Sequence, residues 1–244
     1  MIKILVTGIS GRMGQTVKQA VELNEGTELA STHDEGQDIA AAMSAADCAI
    51  DFSFHGFTPE LLATAVAQGK PLVIGTTGHT DEERTAIAEA AKQIPIVFAS
   101  NYSVGVNTLF WLTRKATQIL KDYDIEIIEM HHHHKLDAPS GTARTLAEVV
   151  CEEIGMDYNK DVMHGREGLV GARPQRQIGM HSMRGGDVVG DHTVMYATDG
   201  ERVELTHKAS SRMTFAGGAV RAALWLADKP AGLYNMQDVL GFNA

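Results

Sequence analysis

Ile2-Lys3-Ile4-Leu5-Val6-Thr7-Gly8-Ile9-Ser10-Gly11-Arg12-Met13-Gly14 is the stretch that decides the fold. A short apolar run of strand type meets three glycines, and residues 12–23 then continue as a helix. Each glycine has a physical use in that setting. Gly8 permits a tight turn, Gly11 lets the backbone approach a pyrophosphate, and Gly14 allows close packing of helix on strand. The helix N-terminus offers free N–H groups and the positive end of its dipole to phosphates. The spacing is G-x-x-G-x-x-G, one residue longer in its first interval than the usual G-x-G-x-x-G. The plainer reading is a glycine turn that binds nothing.

Outward from this turn the pattern repeats. Residues 28–32, 48–52, 71–74 and 94–99 read as further short buried strands, with helical stretches at 57–68 and 81–92 between them. Strand–helix alternation at this spacing predicts a parallel sheet covered by helices on both faces, a Rossmann-like dinucleotide-binding unit. Thr80-Asp81-Glu82-Glu83 carries the hydroxyl and acids of a helix start. Asp34 ends the second strand, close to the distance of about 20 residues at which an acid meets the ribose hydroxyls of NAD. No Arg or Lys lies between Lys18 and Lys70, which favours NADH over NADPH, although Arg12 is able to approach a phosphate from the loop. As a plain turn residue, Asp34 would carry no such meaning. The other strand ends offer Asp51-Phe52-Ser53, Gly75-Thr76-Thr77-Gly78 and Ala99-Ser100-Asn101-Tyr102. Small residues, hydroxyls and amides there suit a nicotinamide ribose and carboxamide, because ligands of open α/β sheets bind beyond the carboxyl ends of the strands.

Beyond Asn101 the pattern changes. Residues 104–121 form one long helical stretch, 124–130 a strand, and 141–154 a second helix. Long strand-like runs follow at 176–184, 188–198 and 202–208, and Asp199-Gly200 between the last two is a hairpin signal. Residues 155–174, rich in glycine and mixed charge, read as a flexible loop. The apolar helix at 214–227 returns to the first sheet. The expected fold class is α/β: residues 1–102 and 212–244 bind a dinucleotide, and 103–211 form an α+β unit with an open mixed sheet for substrate binding and oligomerisation.

Composition narrows the function. At 244 residues the chain can bury one large core or two modest ones. The formal net charge of −10 argues against nucleic acid and reads first as solubility. No apolar run approaches the roughly 20 residues of a membrane span, and the N-terminus lacks a signal-peptide pattern. Two cysteines, Cys48 and Cys151, far apart, exclude a disulfide scaffold and suit a reducing, cytoplasmic setting.

His131-His132-His133-His134-Lys135-Leu136-Asp137-Ala138-Pro139-Ser140-Gly141-Thr142 is the chemically densest segment. Metal binding fits it poorly: adjacent residues of an extended chain point to opposite faces, and no H-E-x-x-H or C-x-x-C accompanies it. Histidine exchanges protons near neutrality. Lys135 is a cation able to donate a proton or hold a carboxylate, and Ser140-Gly141-Thr142 open a helix whose N-terminus attracts anions. Acid–base chemistry on a small anionic substrate, a dicarboxylate, is the expectation.

On these residues the chain resembles the dihydrodipicolinate reductase family. The glycine turn, Gly75-Thr76-Thr77-Gly78, the Asn101 segment, H-H-x-H-K-x-D-A-P-S-G-T-A over 131–143, and residues 207–215 occur in the family's order across most of the chain. The resemblance implies NADH- or NADPH-dependent reduction of the dihydrodipicolinate ring, formed by loss of water from its hydroxylated precursor, in lysine and diaminopimelate synthesis. It implies His131 as acid/base and Lys135 as proton donor. His132, Gly141 and Thr142 bind substrate, with Ser140 assisting. Gly8, Ile9, Ser10, Gly11, Arg12, Met13, Asp34, Gly75, Thr76, Thr77, Ala99, Ser100, Asn101 and Tyr102 bind the dinucleotide. It also implies a homotetramer built through the second sheet. The glycine turn and the histidine–lysine segment lie on different units, which predicts that the two units hinge closed over the ligands. His133 stands where relatives vary, and Ser100 and Tyr102 replace residues common in the cofactor segment. The competing readings are another two-domain dehydrogenase of amino acid metabolism, a dinucleotide-sensing module and a metal-dependent hydrolase; the histidine–lysine segment weighs against the first two.

Overall fold

The computed structural model describes residues 1–242. They divide into two compact units, one of Met1–Val104 with the chain from Arg212 onward, the other of Gly105–Ser211.

The first unit begins β1 (Ile2–Thr7), α1 (Arg12–Leu23), β2 (Thr27–His33), α2 (Ile39–Ser44), β3 (Cys48–Asp51), α3 (Thr58–Gln68), β4 (Leu72–Ile74), α4 (Asp81–Ala90) and β5 (Pro95–Phe98). The strands read as apolar runs because both sheet faces are covered: Ile4, Leu5, Val6, Ile50, Leu72, Val73 and Ile74 are all fully buried. α1 turns Val17, Ala20 and Val21 inward. α4 starts on the capping box foreseen at Thr80 and Glu83. α2 is absent from the sequence reading. It is only six residues long and is held at its start by the Asp38 carboxylate, which accepts from the N–H groups of Ala40 and Ala41.

The second unit contains α5 (Val104–Ile119), β6 (Asp124–His131), α6 (Gly141–Ile154), α7 (Tyr158–Asp161), β7 (Val162–His164), β8 (Ile178–Arg184), β9 (Gly190–Thr198) and β10 (Glu201–Ala209). Its sheet runs β10-β9-β6-β8-β7. β6 is parallel to β8 and antiparallel to β9, which makes the sheet mixed. Ile125, Ile127, Ile178, Met180, Val194 and Tyr196 form its buried face, under Val106 and Leu109 of α5 and Leu146 and Val150 of α6. Gly200, at φ 92°, turns the β9–β10 hairpin, as Asp199-Gly200 predicts. The expectation of a flexible loop over 155–174 is corrected for its first part, up to His164. Asp157 caps the short α7, and Val162–His164 adds an edge strand to β8. Pairing with a distant strand overrides local glycine content there.

The chain then returns to the first unit as α8 (Met213–Leu226), β11 (Gly232–Tyr234) and α9 (Met236–Leu240). With β11 in place the first sheet is six-stranded, β11-β5-β4-β3-β1-β2, and all its pairings are parallel. The strand order reverses at β1, the topological switch point beyond which ligands of such sheets bind. α8 approaches the backbone closely: a Cβ on Gly218 would lie 1.8 Å from the Tyr102 carbonyl oxygen. No helix among the described residues is long and apolar enough to cross a membrane.

Candidate active site

The glycine turn sits at the switch point. Gly8 has φ 68°, and a Cβ there would strike the Phe52 carbonyl oxygen at 2.4 Å. A Cβ on Gly14 would lie 2.1 Å from the Gly8 carbonyl oxygen, so α1 packs against the turn only because residue 14 has no side chain. Gly11 differs: its Cβ position meets only the Gly8 oxygen, at 3.2 Å, and its outward side is clear. No side chain caps α1 at Gly11, and the N–H groups of a first helical turn have no intrahelical acceptor. A pyrophosphate fits such a turn.

Two grooves border it. One of ≈ 730 Å³ is lined by Gly8, Ser10 and Gly11 and by His33, Asp34, Glu35 and Glu60. Asp34 is tied to the turn by the Ser10 N–H, at 2.6 Å, and accepts from the Glu35 N–H at 3.0 Å. Hydrogen bonds from Ser10, and then from Glu35, hold its carboxyl below the usual range. The other groove, ≈ 380 Å³, is lined by Met13, Gly75, Thr76, Thr77, Ser100, Asn101 and Tyr102. Phe52, Ser53 and Phe54 border both. Ile9 packs against the core, Ala99 is half-buried, and Arg12 is exposed and lines neither groove.

Beneath the grooves lies a carboxylate that in the sequence is only a strand end. Asp51 is fully buried and accepts from the hydroxyls of Thr7, Ser53 and Thr76, each at 2.5 Å. Thr76 Oγ1 in turn accepts from the Ser53 N–H at 2.9 Å. The ends of β1, β3 and β4 are thus laced to one acid. Tyr102 turns its side chain into the core. Its hydroxyl donates to the Ile74 and Val97 carbonyls, both at 2.9 Å, and burial pushes its pKa well up. The side chain is a strut of the core.

The histidine–lysine segment leaves β6 in the second unit. His131 Nδ1 lies 2.5 Å from Glu129 Oε2. Glu129 is fully buried. Arg184 grips its carboxylate with both terminal nitrogens, at 2.9 and 2.8 Å, and the Ser140 N–H donates to it at 3.1 Å. Burial alone would lift the carboxyl, but hydrogen bonds from His131 and Arg184 outweigh that and hold it at about 2. His192 crosses the His131 ring edge-on, with centroids 5.1 Å apart. Burial, reinforced by His131, keeps its imidazole neutral, with a pKa of about 3.

Backbone bonds fix the loop: the N–H of His132 reaches the Val188 carbonyl and that of Lys135 reaches the His132 carbonyl. Lys135 Nζ pairs with Asp137 at 2.8 Å. Ser140 is the N-cap of α6. Its Oγ caps Ala143 and pairs with His192 Nε2 at 2.9 Å, and its N–H belongs to Glu129, so its polar groups serve the protein. Gly141 beside it is exposed, and a Cβ there would meet nothing within 4 Å, which leaves the start of α6 open. His132 and Thr142 are half-buried, and His133 and His134 are exposed. No group of three or more metal-ligating side chains stands together among the described residues.

Glu129, Arg184 and His192 were not legible as site residues. Their convergence follows from register: His131 pairs with Arg184 across β6–β8, and Glu129 with His192 across β6–β9. One signal was present, since Glu129 precedes His131 by two residues and so shares its strand face.

Comparison with known proteins accounts for both units. Family models described as "Dihydrodipicolinate reductase, N-terminus" and "Dihydrodipicolinate reductase, C-terminus" match residues 2–102 and 105–240. A 4-hydroxy-tetrahydrodipicolinate reductase of Akkermansia muciniphila is 68% identical over 244 residues, 100% of this chain and 99% of the relative. One from Hahella chejuensis is 48% identical over 265 residues, 99% of each. Among solved structures, a dipicolinate-bound dihydrodipicolinate reductase from Paenisporosarcina sp. TG-14 is similar with a TM-score of 0.77 at 25% identity, over 98% of each chain. Fold, site and likeness define a two-unit oxidoreductase that uses a nicotinamide dinucleotide. More specifically, the chain belongs to the dihydrodipicolinate reductase family, as an NAD(P)H-dependent reductase of lysine and diaminopimelate synthesis.

Proposed function

We propose that the two constellations serve one reaction: reduction of the dihydrodipicolinate ring, a small dicarboxylate left when 4-hydroxy-tetrahydrodipicolinate loses water. The relative from Paenisporosarcina, with dipicolinate bound, supports this substrate class. When bound, the reduced nicotinamide supplies the hydride added at a ring carbon. One proton must also be added, at the neighbouring ring carbon of the reduced C=C bond, to complete tetrahydrodipicolinate, whose ring keeps its C=N bond.

His131 and Lys135 move that proton, and the observation that carries this reading is the His131 imidazole paired at 2.5 Å with a buried carboxylate. A histidine so held is oriented, and still able to exchange a proton through its other nitrogen. Lys135, with one carboxylate neighbour and a partly exposed ammonium, is placed to donate. His132, Gly141 and Thr142 bind the substrate carboxylates at the open start of α6. Gly8 to Met13, Asp34, Gly75 to Thr77 and the backbone of Ala99 to Tyr102 hold the dinucleotide.

NADH is the preferred cofactor. Asp34, Glu35 and Glu60 line the groove beside the glycine turn, and neither Lys nor Arg lines it. An added 2′-phosphate there would face carboxylates without a cation. A homotetramer assembled through the mixed sheet, working in the cytoplasm, completes the reading and rests on resemblance to the family.

The test generates substrate in situ and follows NADH and NADPH consumption side by side, for the parent protein and for Lys135→Ala. We expect turnover to fall at least about 100-fold in the variant, the scale of a lost proton donor, with dinucleotide affinity nearly intact. Undiminished turnover would overturn the role of Lys135.

A further inference from the structure

Glu129 has no place in the proton transfer as read above, yet it is the most heavily coordinated side chain of the second unit's site. A charge with no solvent exposure persists only where its partners compensate it. Here the compensation has a direction. An ionised carboxylate is purely an acceptor. Glu129 Oε2, 2.5 Å from His131 Nδ1, therefore requires the proton on Nδ1. In the neutral ring that leaves Nε2 bare.

The surroundings keep Nε2 usable. A Cβ on Gly190 would come within 3.0 Å of it, so the missing side chain there clears that edge of the ring. Arg184 sets the carboxylate itself. It lies in register with His131 on the neighbouring parallel strand, holds both Glu129 oxygens, and donates to the Asp137 carbonyl at 2.7 Å in the loop that bears Lys135. The Ser140 N–H ties the same carboxylate to the start of α6. One buried acid thus joins the histidine, the lysine loop and the helix terminus.

We propose that Glu129, clamped by Arg184, is the positioning residue of the reduction: it fixes His131 as the Nδ1–H tautomer and makes Nε2 the atom that exchanges a proton with substrate. The inference rests on the reading of His131 given above, and its test separates the two. The simpler alternative is a structural ion pair whose loss harms the unit regardless of His131.

The experiment is a double-mutant cycle on kcat at saturating dinucleotide and substrate, with Glu129→Gln, His131→Ala and the pair. It is joined by 15N spectra of the His131 ring in the parent protein. We expect Glu129→Gln to lower kcat about 100-fold, within the range of general acid–base effects, with KM within about three-fold. In the His131→Ala background it should change kcat by less than about two-fold, and the parent spectrum should show Nδ1–H. An equal cost of Glu129→Gln with and without His131 would overturn the positioning role alone. Undiminished turnover in His131→Ala would overturn the reading of His131, and this inference with it. Should Glu129→Gln fail to fold because Arg184 is left unpaired, Glu129→Asp keeps the charge and shortens its reach, and the same cycle applies. If neither folds, the parent spectrum decides, and an Nε2–H ring refutes the proposal.

Discussion

The backbone N–H of Ser10 donates to the Asp34 carboxylate at 2.6 Å, so the acid at the end of β2 is fastened to the turn between β1 and α1. Two elements assigned above, as a proposal, to the dinucleotide are thereby held as one surface. The fastening leaves Asp34 ionised, since its hydrogen bonds keep its carboxyl below the ordinary range. It stands in a groove beside Glu35 and Glu60.

On the role proposed for Asp34, its replacement with alanine removes both a partner for ribose hydroxyls and a charge that opposes a 2′-phosphate. NADH should bind about ten-fold more weakly, roughly 1.4 kcal/mol, while NADPH loses less. Fluorescence titration of each cofactor measures the ratio, and equal losses would remove Asp34 as the discriminator.

Tyr102→Phe tests the strut. It leaves the carbonyls of Ile74 and Val97 without their hydroxyl donor, at a cost of about 1–2 kcal/mol. The thermal midpoint should drop by about 2–6 °C, with dinucleotide affinity changed less than about two-fold. A large loss of affinity would mean that the hydroxyl touches the ligand.

Asp51→Asn puts an amide where three hydroxyls converge. An amide nitrogen cannot accept from a hydroxyl, so part of the lacing must break inside the core. Urea unfolding should report a loss of about 1–3 kcal/mol, and cofactor binding should weaken because Thr76 and Ser53 are loosened. A variant equal to the parent in both would show that the carboxylate is dispensable.

Acid stability follows from His192. Its folded pKa of about 3 lies below that of an unfolded histidine, near 6.5. Protonation therefore favours the unfolded chain. The contribution is complete above about pH 6.5 and is lost as pH falls toward 3, at up to roughly 1.4 kcal/mol per pH unit for one group. Glu129 and Glu126, each held at about 2, add a further loss once pH falls below the ordinary glutamate range. In His192→Asn the dependence between pH 6.5 and 4 should be shallower by about one proton, as read from urea midpoints. An unchanged slope would contradict a neutral buried imidazole.

What the sequence disclosed was whatever depends on neighbours in the chain. The glycine spacing, the capping box at Thr80 and the hairpin at Asp199-Gly200 are local chemistry, and all three appear in the structure. The strand–helix alternation likewise gave a parallel first sheet. What stayed hidden depends on register between distant strands. Arg184 meets Glu129 from 55 residues away, and no periodicity announces such a pairing. β7 was hidden for the same reason, its partner β8 lying beyond a glycine-rich stretch. Ser140 and Tyr102 show the converse. Their residue types suit a ligand, and only the fold reveals that their polar atoms are already engaged.

The late return of α8 bears on how the molecule is made. Ala216, Ala219, Val220 and Leu226 complete the core that Ile4, Ile50 and Val97 begin, so a core begun before the second unit is closed only after it. With all of Gly105–Ser211 emerging in between, at about 5–20 residues per second, the part of that sheet face that α8 covers waits roughly 5–20 s. The growing polypeptide then carries apolar surface of the kind that makes a partly made chain prone to aggregate.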